Sequence, residues 1–464
     1  MLLACSGLLV GLLLFGPGRE KQPRLPADWI WSARYVLTMA ARRSILEDGA
    51  VAIGGGRILA VGGRAEIGRR YQAKRRLDRG DALIAPGLIN AHTHAAMSLL
   101  RGMADDLALQ EWLEKHIFPA EAKNVTPEFV RWGTRLALLE MLLSGVTTYA
   151  DMYYFEDVVA ETTREAGVRA VLGETIIDFP SPDARTAGQA LAQTERFLAR
   201  FRGDPLITPA VAPHALFTNS DQSLKAARAL ANRFGAPLLI HLSETRRENE
   251  EARRRRGLTP TQALERLGVF DGRTLAAHAV WVDEADLAIL KARGVGLAHC
   301  PSSNMKLASG IAPVTRMLAL DLAVGLGADG PAGSNNDFNL FEEMDLAAKL
   351  QKVTTGDPRA LTAVAAVEMA TIRGARALGL EREIGSLEAA KRADLISVSL
   401  SAPHAIPLYD PYSHFVYALK ASDVRDVMVE GRLLISDRQP LTLDARQILE
   451  RARALAPRLP ARRR

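Results

Sequence analysis

The stretch ALIAPGLINAHTH, residues 82–94, decides the fold. Ten nearly unbroken apolar residues lead into His92-Thr93-His94. A strand covered on both faces needs such a run, because neither face meets water. His92 and His94 lie two apart, and strand side chains alternate, so both imidazoles leave the same face. Working outward, runs of the same kind recur at 145–152, 168–177, 206–214, 237–244, 274–281, 295–304 and 323–329. Longer stretches with helical spacing separate them, such as 127–143 and 223–234. Eight strand–helix units predict an α/β fold, a parallel sheet closed into a TIM-like (β/α)8 barrel. An open doubly wound sheet would need a glycine-rich phosphate turn after its first strand. Gly54-Gly55-Gly56 continues into Arg-Ile-Leu and lacks the third spaced glycine.

The flanks read differently. Residues 28–80 and 384–436 are short strands and turns, so a small β-sandwich domain built from both termini is expected, over 26–83 plus 384–440, with the barrel over 84–383. Residues 1–25 form an apolar N-terminal segment. Its core, Leu2 to Phe15, is short for a membrane span but long enough for a signal core, and no basic residue precedes it. It reads as an uncleaved anchor, a misplaced start or a signal of unusual form. A cytoplasmic location is favoured; anchoring or export through residues 1–17 is the alternative. Of 464 residues, 48% are hydrophobic and 24% charged, which excludes a disordered or collagen-like chain. Cys5 and Cys300 are too few for a disulfide scaffold. Residues 446–464 hold seven arginines against one glutamate, which accounts for the whole net charge of +6. A neutral body with a basic tail is no nucleic-acid footprint. The tail, 441–464, reads as a solvated, partly disordered end, and Arg253–Arg256 as a solvated helix face.

Ionisable residues gather where the predicted strands end: His92 and His94, His214, His241 and Glu244, His278, and Asp329. In a barrel those ends share one mouth. His92, His94, His241 and Asp329 together offer three imidazoles and a carboxylate. That set suits one divalent cation, zinc first, with Fe²⁺ or Mn²⁺ as alternatives, and leaves a position for water. Such an ion lowers the pKa of bound water to roughly 7. Glu244, three residues past a ligand, is placed to handle protons. A lone HxH means little; the ordered set carries the reading. Cys5 and Cys300 cannot supply a CxxC, and HExxH, GxSxG and P-loop motifs are missing. His116, His299, His404 and His414 are assigned to structure or surface, and Trp281 and Met305 to packing.

At these residues, and over 28 to about 440, the chain resembles the amidohydrolase superfamily. The stretches PGLINAHTHAAMSLLRGMADDL (86–107), EWLEKHIFPAEAK (111–123), HLSET (241–245), LAHCPSSNMKLASGIAP (297–313), GADGPAGSNND (327–337) with FEEM (341–344), and IGSLEAAKRADL (384–395) resemble the 5′-methylthioadenosine/S-adenosylhomocysteine deaminases. The resemblance implies a metal-dependent hydrolase barrel that deaminates a 5′-modified adenosine: 5′-methylthioadenosine, S-adenosylhomocysteine or 5′-deoxyadenosine. It makes His92, His94, His241 and Asp329 the metal ligands, Glu244 the proton shuttle and His278 the holder of the attacking water. Asp329 would also help the amine leave. Glu121 would accept the ribose hydroxyls, His214 would contact substrate and Trp112 would stack near the base. The chain departs from that pattern at APHALFTNS (212–220) and in GADGPAGSNND; for a homocysteine carboxylate, Arg185 is the candidate. The implied partner is a small nucleoside, with no nucleic acid; a homo-oligomer is left open. Two rivals stand: a related enzyme acting on a free base or s-triazine, as guanine and cytosine deaminases and chlorohydrolases do, and a non-catalytic barrel.

Overall fold

The computed structural model describes residues 23–456. Eight strands close into a barrel: β1 (Leu88–Thr93), β2 (Val146–Tyr153), β3 (Arg169–Ile176), β4 (Ile207–Pro213), β5 (Leu238–Leu242), β6 (Thr274–His278), β7 (Gly296–His299) and β8 (Val324–Leu326). All neighbouring pairs are parallel, and β8 closes onto β1. The interior is filled by small and branched side chains, among them Ile89, Ala91, Ala150, Val171, Ala212 and Leu239. It is a packed core, so chemistry is confined to the rim.

A second sheet of nine strands is built from both ends of the chain. At its centre Ala82–Pro86 pairs in parallel with Leu25–Leu37 and antiparallel with Leu395–Ser399. The run 82–94, read above as one strand, is therefore two. Gly87 is the break. A Cβ there would stand 2.0 Å from Thr147 Oγ1, so only glycine lets the chain cross from one sheet to the other. The run 295–304 is likewise shorter as a strand: Pro301 opens a helix, Pro301–Lys306, directly after β7.

The helices follow local rules. Pro127–Leu143 starts with Thr126, whose side chain accepts from Phe129 N–H, and has proline in its first turn. Asp221–Phe234 is capped by Ser220 in the same way. Arg246–Arg256 carries its arginines at the surface, where Arg253 pairs with Asp283 and Arg256 with Asp221. The basic tail needs a correction. Ala445–Leu455 is a helix that packs on Pro127–Leu143. Ile448 is buried, and Arg451 lies over the Trp132 ring at 5.6 Å, so part of the charge run covers apolar surface. Residues 457–464 and nearly all of the apolar N-terminal segment lie outside the described residues. No helix among those described is long and apolar enough to cross a membrane.

Candidate active site

The strand ends bring the histidines together. The β1–β2 ladder is irregular between Asn90 and Thr93, which re-aims the end of β1. There Asp151 of β2 accepts from the Thr93 hydroxyl at 2.6 Å and from Ala95 N–H at 2.7 Å. The next residue, Met152, takes the His94 Nδ1–H on its carbonyl at 2.7 Å. In the neutral ring that bond leaves Nε2 as the lone-pair nitrogen; without a cation Asp329 favours a proton there, which a bound ion would displace. His241 is fixed similarly, with Nδ1–H donating to the His214 carbonyl at 2.8 Å. Its Nε2 stands 3.4 Å from His94 Nε2. Asp329 Oδ1 lies 3.4 Å from His92 Nε2 and 3.3 Å from His94 Nε2.

Donor atoms of His92, His94 and His241 lie within 4.8 Å of one another, as do those of His92, His278 and Asp329, and His92 Nε2 is buried with no hydrogen-bond partner. Such an orphaned atom costs free energy unless something binds it. Burial holds His92 down to about 4. Burial also opposes charge on His94, but the Asp329 carboxylate prevails and pushes it up to about 9. His241 is held well below its ordinary value by burial and by the neighbouring imidazoles. For Asp329, burial works against ionisation, yet His92 and His94 hold the carboxyl well below the usual range. A carboxylate set against lone-pair nitrogens is what a divalent cation requires.

Beside this point stand His278 and Glu244. His278 Nε2 is 3.8 Å from Glu244 Oε2 and 4.0 Å from Asp329 Oδ2. Glu244 is buried, and burial raises its carboxyl pKa. His278, Asp329 and the Ser243 between His241 and Glu244 have φ of 72°, 63° and 47°. Left-handed backbone at three non-glycine positions here is strain held by the surrounding fold.

A cavity opens above them at the barrel mouth. Glu121, His214 and Trp112 all line it. Glu121 is 3% exposed, and burial pushes its carboxyl up to about 7 against the pull of Tyr153 and Tyr154. His214 sits between the Phe118 and Phe217 rings, and burial holds it down to about 3. Trp112 donates Nε1–H to the Ala332 carbonyl at 2.9 Å, in the loop after Asp329. Gly333 in that loop has φ of 119°, and a Cβ on it would meet Ala104 O at 2.0 Å.

Two expectations fail. Arg185 is exposed and lines a separate surface depression with Pro180 and Arg196; no Lys or Arg is among the residues lining the cavity. Met305 is 46% exposed, so it is not a packing residue. Trp281 does pack on the core, with its indole donating to Ser309 O. His299 is buried, outside the cavity lining, with neither ring nitrogen paired. Sequence reasoning passed over Asp151, Tyr153, Tyr154, Ser303, Asn304 and Ser309. The tyrosines close the run VTTYADMYY at a strand's C-terminal end, a signal that could have found them.

Comparison with known proteins agrees with this geometry. Residues 83–434 match the Amidohydrolase family. The chain belongs to it. Among curated amidohydrolase relatives, a 5-methylthioadenosine/S-adenosylhomocysteine deaminase of Syntrophobacter fumaroxidans is 49% identical over 430 residues, 93% of this chain and 98% of that one. Among solved structures, an adenosine deaminase from Xanthomonas campestris with bound zinc superposes with a TM-score of 0.92 at 40% identity, covering 94% and 99% of the two chains. Atrazine chlorohydrolase TrzN from Arthrobacter aurescens, 24% identical with a TM-score of 0.85 over 92% and 100%, shares the fold.

Proposed function

We propose that this amidohydrolase hydrolyses the exocyclic amine of a 5′-modified adenosine, releasing ammonia and the inosine analogue. The observation that carries the reading is the pair of clusters that share His92, one with His94 and His241 and the other with His278 and Asp329, with Glu244 beside them. Those four residues would hold the cation, and zinc fits the three nitrogens and one oxygen. When bound, the ion supplies a Lewis acid that lowers the pKa of a coordinated water to about 7.

The chain's own residues do the rest. Glu244 takes one proton from the attacking water and delivers it to the ring nitrogen next to the amine-bearing carbon. The raised pKa of Glu244 lets it hold that proton between the two transfers. His278 Nε2 accepts a hydrogen bond from the same water and orients it. Oxygen bonds to the ring carbon; the second water proton passes by way of Asp329 to the amine, the C–N bond breaks and ammonia leaves. Glu121, buried in the cavity wall, accepts the ribose hydroxyls, which supports a nucleoside over a free base or triazine. His214 contacts the sugar side, and Trp112 walls the base. The rest of the wall holds no charged side chain; it combines Leu109, Leu113, Phe118, Phe217 and Leu307 with the uncharged Tyr153, Tyr154, Thr175 and Ser334, which supports an uncharged 5′ substituent.

The test is release of ammonia from 5′-methylthioadenosine, S-adenosylhomocysteine, 5′-deoxyadenosine and guanine, and of chloride from a chloro-s-triazine, by the purified, zinc-loaded protein. Release from the adenosines is expected. Turnover of guanine or the triazine alone would overturn the reading.

A further inference from the structure

One short segment, Ser303 to Ser309, touches three of the groups assigned to the reaction. Ser303 donates its hydroxyl to Asp329 Oδ2 at 2.6 Å. Asn304 Oδ1 accepts from His278 Nδ1–H at 3.0 Å. Ser309 donates to Glu244 Oε1 at 3.4 Å. All three residues are buried. The segment is itself held firmly: Ser309 N–H donates to Asn304 O at 2.8 Å, Trp281 Nε1–H to Ser309 O at 2.6 Å, and Ser302 N–H to Glu343 Oε2 at 3.1 Å.

We infer that Asn304 is a positioning residue which fixes His278 in the tautomer carrying its hydrogen on Nδ1. A neutral imidazole has one donor and one acceptor, and an amide oxygen accepts only. With Nδ1–H bound to Asn304, Nε2 is left bare and faces Glu244 and Asp329, so it accepts a hydrogen bond from the attacking water. In the opposite tautomer Nε2–H would itself donate toward those two carboxylates and compete with that water. Ser303 and Ser309 act in the same direction. Each occupies one oxygen of its carboxylate; Asp329 Oδ1, which also accepts from Gly330 N–H at 2.7 Å, faces the histidines, and Glu244 Oε2 faces His278. The rate arm of the test rests on the proposed hydrolysis; the tautomer arm does not.

The experiment uses the full chain, zinc-loaded and labelled with ¹⁵N-histidine, and reads the His278 tautomer by long-range ¹H–¹⁵N spectra. Wild type is expected to show Nδ1–H. Asn304→Leu, close in volume but unable to accept, is expected to lose that preference while retaining stoichiometric zinc. Its kcat for 5′-methylthioadenosine should drop about 10- to 100-fold with KM little changed. Asn304→Asp keeps an acceptor at the same place and should restore both the tautomer and most of the rate. A purely structural role would not separate leucine from aspartate in this way. An Nε2–H tautomer in wild type, a reading that needs no variant to fold, overturns the inference. So does an Asn304→Leu protein with unchanged tautomer and kcat, or an Asn304→Asp protein no better than Asn304→Leu. A wild-type protein that releases no ammonia from any adenosine overturns the proposed reaction and leaves the tautomer result to stand or fall alone.

Discussion

Glu244 and Glu343 are both buried carboxyls with raised pKa, yet they have different consequences. Glu244 lines the cavity beside His278. Glu244→Gln should cut kcat by about 10²- to 10⁴-fold while zinc content stays at one per chain, read by metal analysis of the same preparation. Glu343 serves the fold. Its oxygens accept from Ser302 N–H and Asn335 Nδ2, and burial pushes it from 4.5 to about 8. A group whose pKa is higher in the folded state stabilises fully below its unfolded value and loses that contribution as pH rises. Stability should therefore fall across pH 4.5 to about 8, and Glu343→Gln should flatten that slope in urea denaturation. An unchanged slope would show that Glu343 is not its source.

Elements decide where those residues stand. The end of β2 grips the end of β1 through Asp151 and Met152, on either side of the donors from Thr93, Ala95 and His94. Asp151→Ala should weaken zinc about 10- to 100-fold in a competition titration, since the clamp orients the histidines without touching the ion. Gly87 divides two sheets. Gly87→Ala should destabilise the chain by about 1–3 kcal/mol in denaturant, and adding Thr147→Ala should recover part of it by removing the clashing hydroxyl. The barrel strands were legible because runs buried on both faces are apolar whatever their neighbours. The break at Gly87 was not, because apolar spacing continues across it and only the Thr147 side chain, sixty positions on, forbids a Cβ. The helix Ala445–Leu455 was hidden by its arginines; the Trp132 face that receives Arg451 cannot be read from the tail alone. Arg185 lines another depression, because residue type alone does not fix where a loop arginine reaches.

At the scale of the molecule, the barrel mouth sets substrate choice. The polar groups of the cavity cluster at the cation point and around Glu121, and the wall between is aliphatic and aromatic. Leaving a homocysteine carboxylate beside that wall without a cationic partner costs free energy, whereas a thioether gains from aromatic contact. The specificity constant for 5′-methylthioadenosine should exceed that for S-adenosylhomocysteine by about tenfold or more, measured side by side. Equal constants would mean that the tail escapes the wall.

The joint between the two sheets has a bearing on how the protein is made. The strand Ala82–Pro86 lies between Leu25–Leu37, made before it, and Leu395–Ser399, made only after the barrel strands. Until the ribosome has delivered that late partner, the stretch leading into His92 and His94 has one bare edge. Completion of the sheet that leads into the ion-binding rim is thereby tied to a strand that follows all eight barrel strands in the chain.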